Sequence, residues 1–181
     1  MRLLEIDNSC LPTVAGWLAK PENYQWLQFG GVQQVSEISL RMMAQRDIHC
    51  LRVFTADDDE TPIGIVGLGD ISTVFCSANL WYVLGNKTQA GHGYTTRAVS
   101  VMLDHGFGLG LETIHAWAAI ENTASIRVLE KNNFQRIGTR RRCHHLNGRL
   151  VDRYLFDLLA EEHARLTATP AACAHPVGDC G

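Results

Sequence analysis

The sequence predicts one α/β (α+β) domain, and three observations support that prediction. A chain of 181 residues is long enough to bury one core and short for two. Segments with helical spacing of apolar residues alternate with short strand-like runs along most of the chain. No internal repeat and no linker interrupts this alternation. We therefore expect a single domain over residues 1–163 and a loosely ordered tail over residues 164–181.

The first half of the chain contains three strand-like runs and several short helices. The expected strands are 2–6, 50–55 and 63–71, and the expected helices lie within 11–27, interrupted at Pro21, and over 35–45. The acidic run 57–60 is typical of a solvated hairpin tip between the second and third strands.

The second half alternates strands with two longer helical patterns. The expected strands are 79–84, 113–119, 135–145 and 150–159, and the expected helices are 95–107 and 125–131. Asn122 is a suitable N-cap for the second helix, and Asn147-Gly148 is a turn that favours antiparallel pairing of the last two strands. Asn133 is compatible with a left-handed backbone before Phe134.

Composition excludes several classes of protein. Hydrophobic residues make up 46% of the chain, and its formal net charge of -3 argues against a general nucleic-acid binder. No apolar stretch approaches the ~18 residues that span a bilayer, and the N-terminus lacks the apolar run of a secretory signal. We expect a cytoplasmic protein with no nucleic-acid partner and no membrane partner, and a homodimer is compatible with the sequence.

The six cysteines are scattered without a repeated short spacing. In a cytoplasmic chain they are expected to be free thiols. Cys173, His175 and Cys180 share the tail, but the chain has no Cys-x-x-Cys pair, and we expect no metal site.

A glycine turn at residues 89–98 is the most informative stretch, with the sequence Gln-Ala-Gly-His-Gly-Tyr-Thr-Thr-Arg-Ala. It joins a strand to a helix, so the first helical amides point outward at the positive end of the helix dipole and suit a phosphate group. A P-loop would need a Gly-Lys-Ser/Thr sequence at the helix start, and a dinucleotide fingerprint would need glycine at Thr96. An anion site of another kind is indicated.

A second motif at residues 121–134 reads Glu-Asn-Thr-Ala-Ser-Ile-Arg-Val-Leu-Glu-Lys-Asn-Asn-Phe and follows another strand. Together, the two motifs resemble the acyl-CoA-binding signature of the GNAT acetyltransferase superfamily, and of its RimJ/RimL-like branch in particular. The resemblance spans roughly residues 2–160. It implies a central mixed, mostly antiparallel, twisted sheet with two splayed parallel strands and helices on both faces.

The resemblance also implies where acetyl-CoA would bind, between the strands 79–84 and 113–119. The family's usual Gln or Arg at the start of the loop is replaced by Ala90, and its final small residue by Thr95. The implied cofactor-binding residues are Tyr82, Val83 and Leu84 for the pantetheine arm, the amides of Gly91, His92, Gly93, Tyr94 and Thr95 for the diphosphate, and Asn122 and Ser125 from the second motif.

Direct attack of an amine on the thioester needs a proton acceptor and a proton donor. The family's usual Tyr acid falls on Leu129, so Ser125 is the candidate acid, with a purely helix-capping role as the alternative. His144 stands where relatives often carry a Glu and is the candidate base, although a strand histidine is more often structural. Asn79 replaces the Glu of several relatives and cannot act as a base, which leaves Asp70 as the other candidate.

The expected function is an acetyl-CoA-dependent N-acetyltransferase that uses no metal. Its acceptor is a small primary amine, such as an amino sugar, an amino acid-like metabolite or an antibiotic, or else a protein N-terminus. One alternative is a non-catalytic acyl-CoA sensor, because of the missing Tyr acid. Another is an acyltransferase that uses a longer acyl-CoA or an acyl carrier protein.

Overall fold

The computed structural model describes residues 1–27, 35–57 and 60–167. The strands are β1 (Leu3–Glu5), β2 (Cys50–Thr55), β3 (Pro62–Ser72), β4 (Ser77–Leu84), β5 (Thr113–Ala119), β6 (Gln135–Leu146) and β7 (Arg149–Leu159). The helices are α1 (Leu11–Ala19), α2 (Pro21–Tyr24), α3 (Glu37–Ala44), α4 (Tyr94–Gly108), α5 (Thr123–Lys131) and α6 (Ala160–Thr167). Every strand and helix expected from the sequence is present, and the helical break at Pro21 is confirmed.

The strands form one sheet in the order β1-β2-β3-β4-β5-β7-β6. All neighbouring strands are antiparallel except β4 and β5. This parallel pair is in register only where Ser77–Asn79 face Thr113–His115. Beyond that point β4 continues along β3 and β5 continues along β7, so the two strands diverge. The predicted mixed, mostly antiparallel sheet with two splayed parallel strands is confirmed.

The helices cover both faces of the sheet and create two apolar cores. Helices α4 and α5 pack on one face, where Met102 and Leu129 meet strand residues such as Ile114. Helices α1 and α3 pack on the other face, where Leu18 and Leu40 are almost fully buried. Burial of each such side chain contributes about 1.5–3 kcal/mol, so both helical layers are needed to hold the sheet between them. We call these faces the α4–α5 face and the α1–α3 face.

Local signals in the sequence account for several ends and turns. The Asn122 side chain accepts a hydrogen bond from the Ser125 amide at 3.1 Å, which confirms the predicted N-cap of α5. Asn133 has a φ of 64°, as its position after the helix suggested. Asn147 and Gly148 have φ values of 48° and 77° and join β6 to β7 by the predicted tight turn.

The last helix of the described chain extends past residue 163, where the sequence predicted the end of the domain, and the domain boundary itself stays a prediction. Helix α6 continues to Thr167, so residues 164–167 are helical. Its side chains explain the extension, because His163 Nε2 contacts Asp104 of α4 at 2.7 Å and Arg165 pairs with Glu161 one turn earlier at 3.1 Å. The remainder of the predicted tail, residues 168–181 with Cys173, His175 and Cys180, lies outside the described residues.

Within the described ranges, no helix is both long enough and apolar enough to cross a membrane. The same part of the chain contains no cluster of three or more His, Cys, Asp or Glu side chains arranged to hold a metal ion. Its cysteines, Cys10, Cys50, Cys76 and Cys143, are free thiols.

Candidate active site

A cleft of about 860 Å³ opens where β4 and β5 diverge. Its walls include Leu80–Leu84 of β4 and Ala116–Ala118 of β5. Because the two strands do not pair with each other here, the backbone groups that face the gap are open to a ligand. Residues of α2 and α3 line the cleft on one face of the sheet, and residues of α4 and α5 line it on the other. The cleft therefore crosses the sheet.

The predicted glycine turn forms one wall of this cleft. Gly91 and Gly93 have φ values of 84° and 78°, in the left-handed region that favours glycine. A Cβ atom added at either position would meet no described atom within 4 Å, so the bend is open. In the described part of the chain, the amides of residues 91–95 donate no hydrogen bond, and the first α4 bond runs from the Arg97 amide to the Gly93 carbonyl. Five unbonded amides thus lie at the N-terminus of a 15-residue helix, where such groups suit an anion.

Two contacts from outside the turn hold it in place. Asn132, the residue that follows α5, donates to the Thr96 carbonyl at 3.2 Å, which ties the first turn of α4 to the end of α5. Arg97 pairs with both carboxylate oxygens of Asp57 at 2.9 and 3.0 Å and lies 4.9 Å from the centre of the Tyr94 ring. The hydrogen bonds from Arg97 lower the pKa of Asp57 to about 2. The turn is therefore anchored on both sides while its amides stay free.

A pair of hydroxyl groups lies on the α4–α5 side of the cleft. The Tyr82 hydroxyl of β4 is 2.8 Å from the Ser125 Oγ and 3.0 Å from the Ser125 carbonyl oxygen. Burial raises the pKa of Tyr82 above its ordinary value, so the phenol stays protonated at neutral pH and can donate a hydrogen bond. Both residues line the cleft, and Ser125 is held there by the Asn122 cap.

His144 lies outside the lining of this cleft and is buried. Arg153 donates to His144 Nδ1 from Nη2 at 2.8 Å and from Nε at 3.2 Å, so Nδ1 is an acceptor. Nε2 must then carry the ring proton, which it donates to the Gln25 carbonyl at 2.7 Å. Burial is the main cause that lowers the pKa of His144, and the ring is held neutral with both nitrogens in use.

His144 and its partner Arg153 pack against two tryptophans of the cleft wall. Its ring is parallel to that of Trp26 at a centroid distance of 6.4 Å, and the Arg153 guanidinium lies 3.6 Å from the Trp117 ring. Trp26 and Trp117 line the cleft, with His144 and Arg153 behind them. The base role predicted for His144 stays a prediction, and its position behind the wall counts against it.

Lys87 joins the mouth of the cleft to α2. Its ammonium donates to Asn23 Oδ1 at 2.6 Å and to the Leu84 carbonyl at 2.8 Å. Asn23 is buried and in turn donates to the Trp17 carbonyl of α1 at 2.8 Å. This chain of bonds fixes α1 and α2 relative to the end of β4, and partial burial lowers the pKa of Lys87.

Charges of opposite sign line the two sides of the cleft. Arg127 and Lys131 of α5 are on the α4–α5 side. Glu22 of α2 is on the α1–α3 side, and the Asp70 carboxylate at the end of β3 accepts a hydrogen bond from Asn79 at 3.1 Å. A polyanion is favoured on the first side. On the second side the two carboxylates favour a cation, although the Lys87 ammonium lies at the mouth of the cleft beside Asn23.

Most of the residues that the sequence singled out meet in this cleft. Among the predicted diphosphate-binding residues 91–95, His92 is the one that does not line it; its ring is exposed and packs beside Tyr94 at 6.0 Å. The predicted residues that line the cleft are Tyr82, Val83, Leu84, Gly91, Gly93, Tyr94, Thr95, Asn122 and Ser125.

Sequence reasoning assigned Tyr82 only a backbone role and overlooked its hydroxyl. It also overlooked His49, which precedes β2 and lines the same cleft. Neither residue belongs to a motif, so no local signal in the sequence marks them.

Comparison with known proteins agrees with this geometry. The family described as "Acetyltransferase (GNAT) domain" matches residues 1–135. The protein named "Uncharacterized N-acetyltransferase p20" of Bacillus licheniformis is 34% identical over 134 residues, which cover 74% of this chain and 72% of that protein. The "Probable N-acetyltransferase YjcK" of Bacillus subtilis (strain 168) is 32% identical over 136 residues, covering 72% of this chain and 71% of that protein.

Solved structures share the fold. The spermidine N-acetyltransferase of Vibrio cholerae in complex with CoA and spermine superposes with a TM-score of 0.79 at 20% identity, covering 90% of this chain and 97% of that one. RimJ of Mycobacterium smegmatis in complex with CoA-disulfide superposes with a TM-score of 0.73 at 23% identity, covering 88% and 82% of the two chains. At these low identities, the superpositions show a shared fold and no more.

Proposed function

Because the chain belongs to the GNAT acetyltransferase family, we propose that it transfers the acetyl group of acetyl-CoA to a primary amine. The observation that carries this proposal is the row of free amides at residues 91–95, set in the wall of a cleft that crosses the sheet. Backbone amides at a helix N-terminus suit a diphosphate, and a crossing cleft lets two substrates approach from opposite faces.

The residues present fit acetyl-CoA, which supplies the activated acyl group as a thioester. The open turn at Gly91 and Gly93 leaves space for a diphosphate against the amides. Arg127 and Lys131 place positive charge on the same side of the cleft. The unpaired edge of β4 at residues 82–84 offers backbone groups to the pantetheine amides, as an added strand would use them.

Ser125 and Tyr82 are positioned to return a proton to the departing sulfur. The Ser125 hydroxyl lines the cleft and is bonded to the Tyr82 hydroxyl behind it, so a proton given up by one is replaced through the other. This pair takes the place of the family's usual Tyr, whose position is occupied here by the buried Leu129. A hydroxyl relay of this kind supplies general acid catalysis.

The acceptor we propose is a small amine that enters from the α1–α3 face. Trp26, Trp81 and Trp117 line that part of the cleft together with the Glu22 and Asp70 carboxylates. Indole faces and carboxylates both attract an ammonium group, so a cationic acceptor is favoured over a neutral or acidic one. The structural neighbour from Vibrio cholerae is named for spermidine, a small polyamine. A protein N-terminus is the other acceptor compatible with the family resemblance.

A coenzyme-release assay tests the proposal. The purified protein would be incubated with acetyl-CoA and, separately, with spermidine, glucosamine, amino acid amides and an N-terminal peptide, and free thiol would be measured. We expect amine-dependent thiol release with at least one small amine and the corresponding acetylated product by mass spectrometry. Absence of both, with CoA binding intact by calorimetry, would instead support the non-catalytic acyl-CoA sensor suggested by Leu129 and Asn79.

A further inference from the structure

One polar cluster in the cleft combines the Asp70 carboxylate, already placed beside the acceptor, with two side chains that have no role in the chemistry described so far. It consists of His49 before β2, Asp70 at the end of β3, and Asn79 of β4. Asn79 is also the last β4 residue in register with β5, so the cluster lies at the point where the two strands separate. The cleft continues without interruption from this point to the glycine turn.

Asp70 has an unusual backbone at this point. Its φ of 51° is rare for a residue with a Cβ atom, and the pairing of β3 with β4 shifts between Gly69 and Ser72. The Asn79 side-chain amide donates to Asp70 Oδ2 at 3.1 Å, which fixes the carboxylate beside the cleft. Strained residues that persist in a folded protein often do so at ligand sites.

The His49 ring packs over the neighbouring glycine of β3. A Cβ atom placed on Gly69 would be 3.4 Å from His49 Nδ1. Among the described residues, Nδ1 is buried and has no hydrogen-bond partner, which leaves Nε2 as the ring nitrogen that a ligand can reach. A buried polar atom without a partner is rare in native structures, and such atoms call for an explanation.

We propose that Asp70 and His49 form the ammonium-binding end of the acceptor site, with Asp70 holding the cationic amine and His49 taking its proton. Asn79 is a positioning residue that acts through Asp70. This inference rests on the proposed acetyltransferase function and names the residues that receive the amine. It also explains how a chain with Asn79 in place of the family's Glu retains a carboxylate there, since Asp70 supplies one from the adjacent strand.

The proton balance of the step is complete. The bound R–NH3⁺ gives one proton to the accessible nitrogen of His49 and becomes R–NH2, while the ring becomes imidazolium. The nitrogen lone pair then forms the C–N bond to the thioester carbonyl carbon, and the C–S bond breaks with its electron pair on sulfur. The second nitrogen proton reaches sulfur through the Ser125–Tyr82 hydroxyl pair, and the imidazolium releases its proton to water. The products are one acetamide, one CoA thiol and one proton.

The charges around His49 are consistent with this role. Burial is the main cause that lowers its pKa, Asp70 opposes that shift, and Arg46 adds to it. Glu5 and Arg52, which pair with each other at 3.3 Å, line a second, small pocket that His49 also borders. The ring is therefore neutral at pH 7 and able to accept a proton, whereas His144 has both nitrogens already bonded.

The test compares His49→Asn and Asp70→Asn with matched controls. Asn cannot accept a proton as imidazole does, and at Asp70 it keeps the side-chain shape and tolerates the left-handed backbone. His105→Asn and Asp47→Asn remove the same groups at exposed positions that do not line the cleft. For each protein we would measure the CoA dissociation constant by calorimetry, kcat and KM for the best small amine of the panel, and the pH dependence of kcat/KM.

We expect distinct signatures from the two variants. His49→Asn should lower kcat by about 100-fold, a typical general-base contribution, and abolish the fall in kcat/KM on the acidic side of pH 6.5. Asp70→Asn should raise KM for the amine by about tenfold, an ordinary value for one charged hydrogen bond. CoA affinity should be unchanged in both variants, and the controls should resemble the parent protein.

Failure of this inference is distinguishable from failure of the proposed function. Suppose that the parent protein acetylates an amine and that either His49→Asn or Asp70→Asn has the same kcat, KM and pH profile. That result would overturn the proposed ammonium site, and the proposed acetyltransferase function would stand. A parent protein that binds CoA but acetylates no amine would overturn both. Proton NMR of the histidine Cε1 resonances, with His49 identified from the spectrum of His49→Asn, checks that the ring titrates below its ordinary pKa.

Discussion

The hydroxyl groups of Tyr82 and Ser125 lie 2.8 Å apart, joining the diverging strand β4 to the first turn of α5 across 43 residues of sequence. Tyr82 also donates to the Ser125 carbonyl oxygen at 3.0 Å. A hydroxyl that is hydrogen-bonded to another hydroxyl can pass a proton on. A purely helix-capping role for Ser125 would not need this contact. The contact supports the proton-donor role proposed for Ser125, and that role stays a prediction.

Removal of either hydroxyl should slow turnover. We predict that Ser125→Ala and Tyr82→Phe each lower kcat by about 10–100-fold, toward the low end of general acid effects, while the CoA dissociation constant changes little. Steady-state kinetics and calorimetry measure the two quantities. Ser100→Ala and Tyr154→Phe delete the same groups from half-buried residues outside the cleft and should behave like the parent. A loss of CoA affinity with unchanged kcat would show that the pair only shapes the cofactor pocket.

A Cβ atom at Gly93 should weaken the cofactor site by straining the turn. Gly93→Ala must hold a φ of 78°, which costs an L-residue about 1–2 kcal/mol, or else rotate its amide away from the cleft. We expect a lower free energy of unfolding together with a weaker affinity for CoA, measured by urea denaturation and calorimetry. Gly108→Ala is the control, because Gly108 lies in α4 with a permissive backbone and open space around it. That change should stabilise the fold by about 0.4–1 kcal/mol and leave CoA binding unaltered.

His144 should make the stability of the protein depend on pH. Its pKa is lowered by folding, so below its ordinary value of 6.5 the unfolded chain binds more protons than the folded one. Stability should therefore be fully present above pH 6.5 and decline as the pH falls below it. Urea denaturation at pH 7.5 and 5.5 should show a smaller decline for His144→Asn than for the parent.

The same variant tests the base role predicted for His144. At pH 7.5, His144→Asn should already be less stable than the parent by about 1–3 kcal/mol, because Arg153 loses a buried acceptor. We expect its kcat/KM at that pH to change less than that of His49→Asn. Loss of the acidic limb of the rate profile in His144→Asn, with the limb retained in His49→Asn, would restore His144 as the base.

The parts of this site that were predictable from sequence are those fixed by neighbours along the chain. The glycine turn and the Asn122 cap depend on contacts over a few residues, and both were found where the sequence placed them. The environment of His144 depends on the Gln25 carbonyl, which is 119 residues away. No sequence pattern around His144 shows that its Nε2 proton is donated to this carbonyl.

The same reasoning explains why His49 was overlooked. A single histidine before a strand carries no periodic signal, and its relation to Asp70 arises only after β2 and β3 pair and the backbone bulges at Gly69. The charge pattern of the cleft is likewise a product of topology. It appears only when α5 and α2 cover opposite faces of the same gap.

Lys87 should affect the position of α1 and α2, which lie beside the proposed acceptor site, more than it affects cofactor binding. Lys87→Met leaves Asn23 Oδ1 and the Leu84 carbonyl without their shared donor, so we expect the free energy of unfolding to fall by about 1–3 kcal/mol. Because Asn23 holds α2 to α1, the loosened wall should raise KM for the amine more than it weakens CoA. Lys20→Met, on an exposed neighbouring lysine, removes the same charge without those bonds and should alter neither stability nor KM. The opposite result, a weaker affinity for CoA with an unchanged KM for the amine, would contradict this prediction. It would show that the Lys87 ammonium binds the phosphate groups of CoA.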